Sequence, residues 1–188
     1  MPRLHRLAFP ATALAALLAL AEASPARATT VDLPSLDELC RASEVVARVR
    51  VLEQQVEHAG HGQRGRARTW TTLVVVDAVA GATTGERLVL YQPGDAATGE
   101  GGVLGQPRHR PGDDVVVFLA RARVGGRDAV IHRGLGYGLY DVGVDGALNE
   151  RAADVARVPS AAGPLPARWS STATLRDAVL RARSAVRP

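Results

Sequence analysis

The sequence predicts a mainly β fold, a small five- to six-stranded antiparallel β-barrel with one helix before it and one amphipathic helix after it. Apolar residues recur at helical spacing near each end of the chain, and they alternate with a period of two in between. Short strands separated by glycine-rich turns are typical of small barrels. The 188 residues contain no internal repeat and no sign of a second domain.

Residues 1–28 resemble a secretory signal peptide. A basic start with Arg3 and Arg6 precedes an apolar run over 11–20, and small residues then precede Thr29. The apolar run is shorter than the roughly 20 residues that span a membrane. We expect cleavage before Thr29 and a secreted or periplasmic protein without a membrane anchor, and an uncleaved anchor is the alternative.

The charge of the chain is modest once this segment is set aside. Cleavage would remove three arginines and one glutamate from 23 basic and 19 acidic residues, which leaves a net charge of +2. Every basic residue other than histidine is an arginine. A weakly basic chain with only 4% aromatic residues lacks the basic, aromatic face that single-stranded nucleic acid requires, so we expect no nucleic-acid partner.

The first helix is predicted in SLDELCRASEVV. Ser35 and Glu38 have the spacing of a capping box, and Leu36, Leu39 and Cys40 share one face. Cys40 is the single cysteine, so no disulfide can form within the chain. We interpret it as a small buried hydrophobic residue, with a free thiol or a Cys40-linked dimer as the alternative.

The barrel domain is predicted over 29–146. A half-buried strand begins after Glu44 and runs toward Val56, because its apolar residues alternate with polar ones. A stretch rich in β-branched residues begins at Thr69 and predicts a long second strand. The later strands are predicted at 85–93, 114–122, 127–133 and 136–142, with turns at 125–126 and 145–146.

The last part of the chain is predicted to be a proline-rich connector over 147–170 and a helix over 171–188. Leu175, Val179, Ala182 and Val186 recur at three- to four-residue spacing, and Ser171 or Thr172 can cap the helix. We expect the apolar face of this helix to pack on the barrel.

Two long polar, glycine-rich stretches connect predicted strands, at 57–68 and at 94–112. A connection as long as the second is uncommon inside a compact domain unless it serves a function or is disordered. We interpret both as candidate recognition loops. Their partner-binding candidates are Arg64, Arg66, Arg108 and Arg110.

The sequence contains no catalytic constellation. The glycines at 99–105 do not fit a dinucleotide fingerprint, and a chain without lysine cannot have a phosphate-binding P-loop. No serine lies in a G-x-S-x-G turn. Carboxylates at 113–114, 141 and 145 lie at or near turns, where such groups commonly bind the backbone. We therefore predict no enzymatic activity and no cofactor.

Histidines suggest one alternative, a metal site. His58 and His61 are three residues apart beside Glu57, and His109 and His132 occur elsewhere. Imidazoles are common zinc ligands, so His58, His61 and His109 are candidate ligands of a metal-binding protein or a metal-dependent enzyme. The neighbouring glycines favour a solvated loop instead.

The order of these segments resembles a family of uncharacterised secreted bacterial proteins. The residues that carry the resemblance are SLDELCRASEVVARVRVLEQQV, GERLVLYQPG, RPGDDVVVFL and GLGYGLYDV, across 36–145. Asp95 stands where that family has a glycine, Asp113 and Asp114 stand for two glutamates, and a tyrosine stands for a phenylalanine. The resemblance implies a signal peptide and an OB-like barrel.

More distantly, the run Cys40–Val49 is similar to the netrin-like OB barrel of the tissue inhibitors of metalloproteinases. That similarity implies a five-stranded barrel with helices packed on it. Those inhibitors are disulfide-rich and use an N-terminal cysteine on the protease zinc, whereas the only cysteine here lies within a helix. The fold can carry over but the inhibitory mechanism cannot. We therefore expect a secreted protein-binding module, with an extracytoplasmic protein, such as a protease, as its partner.

Overall fold

The computed structural model describes residues 34–58, 67–103, 105–134, 136–151, 166 and 168–184. Within them the chain forms helix α1 (Leu36–Ala42), eight strands and helix α2 (Thr172–Ser184). The strands are β1 (Val45–Glu57), β2 (Arg68–Ala80), β3 (Arg87–Pro93), β4 (Asp114–Val124), β5 (Arg127–His132), β6 (Tyr140–Val142), β7 (Leu148–Glu150) and β8 (Arg168–Trp169). The predicted signal peptide lies outside the described residues.

Five strands pair in a ring. The order β1-β2-β3-β5-β4 closes through a further pairing of β4 with β1. All of these pairings are antiparallel except that of β3 with β5, which is parallel and consists of the single pair Leu90 and Val130. The predicted mainly β class is confirmed. The number and direction of the strands differ from the predicted five to six antiparallel strands. The sheet has eight strands and is mixed, and the ring of strands is not a clear barrel.

The first halves of β1 and β4 are buried on both faces, which the alternation in β1 did not predict. Val45, Ala47 and Val49 belong to one apolar cluster with Leu73 and Leu90, inside the ring. Their neighbour Val46 belongs to a second cluster that contains residues of both helices. A strand covered on both faces has a continuous apolar stretch, as in the buried run Val115–Ala120 of β4.

Helix α1 begins as predicted. The Ser35 hydroxyl accepts a hydrogen bond from the N–H of Glu38, and the Glu38 carboxylate accepts one from the N–H of Ser35 at 2.8 Å. This reciprocal capping box satisfies two N–H groups that the first turn leaves without partners. Its apolar face buries Leu39 and Cys40.

Helix α2 packs beside α1. Leu175, Val179 and Ala182 are buried in one apolar cluster with Leu39 and Cys40 of α1. The cluster also contains three residues of the sheet, Val116, Phe118 and Tyr140. The Ser171 side chain accepts a hydrogen bond from the N–H of Thr174 at 3.3 Å, which confirms the predicted cap. Val186 lies outside the described residues.

The segment between the ring and α2 differs from the prediction. The last predicted strand, 136–142, is extended only from Tyr140, because Gly136 and Gly138 adopt positive φ angles of 81° and 85° that suit a turn. Part of the predicted connector pairs with it, since β7 follows β6 in a hairpin and β8 pairs with β7. Strands of two or three residues are too short for a periodic pattern to reveal.

Among the described residues, no helix has the length and hydrophobicity needed to cross a membrane.

Candidate functional site

The connection 94–112, which we call the long loop, is attached to the ring by buried polar side chains. The hydroxyl of Thr69, on β2, donates to the carbonyl of Gly94 at 2.8 Å and accepts from the N–H of Ala96 at 2.9 Å. The amide of Gln92, on β3, donates to the carbonyl of Pro107 at 2.8 Å. Thr69 and Gln92 are at most 1% exposed. Buried hydrogen bonds of this kind are costly to break, so the irregular backbone is anchored at both of its sides.

A close backbone approach also shapes this loop. Gly94 has φ +82°, and a Cβ atom added there would lie 2.2 Å from the backbone nitrogen of Gly102. Only glycine allows two backbone segments to come so near. The long loop therefore folds back on its own first residue.

The second recognition loop begins and ends beside the long loop. Glu57 and Arg68, at its two ends, are paired across β1 and β2, and Arg68 is also paired with Pro93 of β3. The N–H of Gly94 donates to the carbonyl of Ala67 at 2.7 Å. The sequence predicted two separate loops, and the strand register brings their ends together. Residues 59–66, with His61, Arg64 and Arg66, lie outside the described residues.

The β4–β5 hairpin also contacts the base of the two recognition loops. Arg127 forms an ion pair with Glu57 at 2.7 Å, and its guanidinium lies over the ring of Trp70 at 5.2 Å. Trp70 packs in turn against Tyr91, with 5.1 Å between ring centroids. Hydrogen bonding to Arg127 lowers the pKa of the Glu57 carboxyl. These contacts tie the base of both loops to a third element of the ring.

The two predicted arginines of the long loop are available to a partner. Arg108 and Arg110 are exposed. In the part of the chain that the structure describes, neither guanidinium has a hydrogen bond or an ion pair. Their backbones are held, since the Arg108 carbonyl accepts from Arg151 at 2.7 Å and the Arg110 N–H donates to Asp113 at 3.0 Å. Fixed backbones with free guanidiniums suit recognition of an acidic surface.

His109 points the other way, into the protein. It is 2% exposed, and its Nε2 lies 2.7 Å from Nε2 of His132 on β5. The rings are nearly parallel, at 9°, with centroids 5.0 Å apart. Such a contact needs one donor and one acceptor. The two imidazoles therefore cannot both be in the doubly protonated, cationic form. Burial, and then the nearby Arg151, lower the pKa of His109 to about 3; burial, His109 and Arg151 lower that of His132.

This pair has the geometry of a hydrogen bond and not that of a metal site. Two nitrogens bound to one zinc at 2.0–2.1 Å in tetrahedral geometry lie about 3.3 Å apart, which exceeds the distance seen here. The described residues contain no group of three His, Cys, Asp or Glu side chains placed to hold an ion. His58 is exposed at the end of β1. Because His61 is not described, the three-histidine site stays a prediction.

The carboxylates near the turns serve the structure. Asp114 accepts two hydrogen bonds from Arg48, both at 2.8 Å, which hold its pKa below the usual value. Arg151 bonds both Asp113 and Asp141, and Asp145 pairs with Arg168 at 3.0 Å. The lowered pKa of Asp114 favours its ionised form, which is a poor general acid.

Sequence reasoning missed Thr69, Gln92, His132 and Arg151 as residues that position the site. Thr69 and Gln92 occupy inward positions of predicted strands, where a polar residue among apolar ones is the signal that could have marked them. His132 and Arg151 have no such signal. They reach the loop through the pairings of β5 and β7, which no spacing in the sequence encodes.

Comparison with protein-family models, with curated protein sequences and with solved structures finds no match to this chain.

Proposed function

We propose that the chain is a secreted, non-enzymatic binding module that holds an extracytoplasmic protein through its two recognition loops. The observation that carries the proposal is the attachment of the long loop by buried hydrogen bonds from Thr69 and Gln92. A loop held in one conformation loses little entropy on binding, and such preorganisation raises affinity.

The charge of this surface indicates the partner. Arg108 and Arg110 are exposed cations on a fixed backbone, and Arg64 and Arg66 belong to the neighbouring loop by sequence. Cations at an interface rim steer association with an acidic surface. The partner in this proposal is a protein with an acidic surface, and the resemblance to metalloproteinase inhibitors makes a protease one candidate.

The finer fold assignment is part of the proposal. The ring order β1-β2-β3-β5-β4 with terminal helices packed on it supports an OB-like, netrin-like barrel. In this assignment β3 and β5 join through the parallel pair Leu90 and Val130. Since fold alone does not give function, the binding proposal depends on the loops and not on this name.

Charge reversal tests the binding proposal. Purified protein serves as bait for the host's secreted and periplasmic proteins, with and without a chelator. The double variant Arg108→Glu and Arg110→Glu should lose saturable capture of its partner. The matched control, Arg87→Glu with Arg181→Glu, reverses two exposed arginines elsewhere and should keep it. Equal capture by both variants, or capture of nothing by the unchanged protein, would contradict the proposal.

Secretion has its own test. The proposal places the mature N-terminus at Thr29, after the predicted signal peptide. Mass spectrometry of the protein isolated from its host should find that terminus in the secreted or periplasmic fraction. An intact Met1–Ala28 segment on the mature protein would contradict it.

A further inference from the structure

The long loop lines a half-open pocket of about 280 Å³. Its lining includes two charged residues, Asp95 and Arg108, and three glycines, Gly99, Gly102 and Gly105. All of them belong to the recognition loop, and none belongs to the carboxylate or histidine clusters described above. A volume of this order fits the side chain of one residue better than a large ligand.

Glycines keep the pocket open beside Arg108. A Cβ atom added at Gly99, where φ is +82°, would lie 3.0 Å from the Arg108 Nη2 atom. The guanidinium therefore lies in the space that the side chain of any residue larger than glycine at position 99 would need. Gly102 and Gly105 add two further stretches of lining without side chains.

The two charged residues of the pocket differ in their hydrogen bonding. The carboxylate of Asp95 accepts hydrogen bonds from the N–H groups of Ala97 and Thr98, at 2.8 and 3.2 Å, and these contacts lower its pKa. The Arg108 guanidinium has five N–H donors and, among the described residues, no acceptor. Asp95 is thus hydrogen-bonded within the loop through its Oδ1 atom, and Arg108 is the charged lining residue without a partner in the described part of the chain.

We infer that this pocket receives a carboxylate side chain, glutamate or aspartate, from the partner protein, with Arg108 as its counter-ion. A guanidinium and a carboxylate can form two parallel hydrogen bonds, which gives direction as well as affinity. Arg110 is exposed outside the pocket and adds only long-range attraction. This inference rests on the proposed function and names the chemical group that the long loop selects.

A pair of short peptides tests the pocket without the unknown partner. The probes are acetyl-Ala-Glu-Ala-amide and the same peptide with glutamine in place of glutamate. Each is titrated into ¹⁵N-labelled purified protein, and amide chemical shifts are followed by NMR. The glutamate peptide should cause saturable shifts that centre on the lining residues and should bind about tenfold more tightly than the glutamine peptide.

Matched variants assign the effect to one residue. Arg108→Gln removes the charge but keeps donors and should weaken the glutamate peptide about tenfold, to the level of the glutamine peptide. Arg87→Gln removes the same charge at an exposed arginine outside the long loop and should change binding less than twofold. Both residues are exposed, so folding is expected to persist, and the dispersion of the NMR spectrum checks it.

Three results would overturn the inference: no saturable shifts, equal binding of the two peptides, or unchanged binding in Arg108→Gln. These failures differ from a failure of the proposed function. If charge reversal at Arg108 and Arg110 abolishes partner capture but the peptides do not bind, the loop recognises its partner and the pocket is not the contact. If charge reversal leaves capture intact, the loop is not the binding surface.

Discussion

His109 and His132 show at the scale of single residues how burial selects a protonation state. Nδ1 of His109 is buried and has no partner among the described residues. A buried unpaired N–H is rarer than a buried unpaired acceptor, so Nε2 of His109 is the donor and Nε2 of His132 the acceptor. Arg151, which is bonded to Asp113 and Asp141, is a nearby cation. Its positive charge disfavours protonation of the His109 imidazole.

This pair predicts a loss of stability in mild acid. Both histidines have pKa values below the ordinary value near 6.5, so the unfolded chain binds more protons than the folded one below that pH. The free energy of unfolding is then highest above pH 6.5 and falls as the pH drops toward 5. The fall is about 1.4 kcal/mol per pH unit for each proton taken up. Urea unfolding at several pH values measures it.

Two variants identify the source of that slope. His132→Gln removes one titrating group and should reduce the dependence of stability on pH between 6.5 and 5. His58→Gln removes an exposed histidine and should leave it unchanged. A free energy of unfolding that is flat over this range in the unchanged protein would show that the pair is not buried in its neutral form.

Cys40 gives a second prediction at the residue scale. It is 1% exposed, and burial raises its pKa to about 11. Since the thiolate is the reactive form, we expect the native protein at pH 8 to resist alkylation and to run as a monomer on a non-reducing gel. Alkylation should be complete in denaturant. Rapid modification of the folded protein, or a Cys40-linked dimer, would contradict the packing described here.

The long loop is an element whose shape depends on one glycine. Gly94→Ala should displace the loop, because its Cβ would lie 2.2 Å from a backbone nitrogen in a conformation with φ +82°. Gly85→Ala meets the same kind of strain, at φ +85°, but has nothing within 4 Å. We expect a loss of about 1 kcal/mol of stability for Gly85→Ala and a larger loss for Gly94→Ala.

Urea unfolding and hydrogen exchange of residues 95–108 separate the two effects. Only Gly94→Ala should speed exchange in the loop and weaken partner capture. Equal behaviour of the two variants would mean that the close approach between Gly94 and Gly102 does not hold the loop.

At the scale of the whole molecule, the two terminal helices complete the core. Leu175 is fully buried on α2 among residues of α1, β1 and β4, whereas Leu180 on the same helix is 51% exposed. Leu175→Ala should lower the free energy of unfolding by about 2–5 kcal/mol through lost burial and a cavity. Leu180→Ala should change it by no more than about 0.5 kcal/mol. Denaturant unfolding of both variants checks the difference, and a small effect of Leu175→Ala would show that α2 is not part of the core.

Local chemistry, read from the sequence alone, specifies several elements of the fold. The capping box of Ser35 and Glu38 placed α1, β-branched runs placed β2 and β4, and three- to four-residue spacing placed α2. These features act between residues a few positions apart, so a pattern in the chain contains them. The same reasoning marked Arg108 and Arg110 as residues of a long connection.

The way in which distant segments meet is visible only in the folded chain. The register of β1, β2 and β3 brings the ends of the two loops to Arg68, and the pairings of β5 and β7 bring His132 and Arg151 to the long loop. Contacts between residues far apart in the chain depend on strand pairing and on the summed burial of two apolar clusters. No local pattern contains that information, which is why the sequence predicted the loops but not the site that they form.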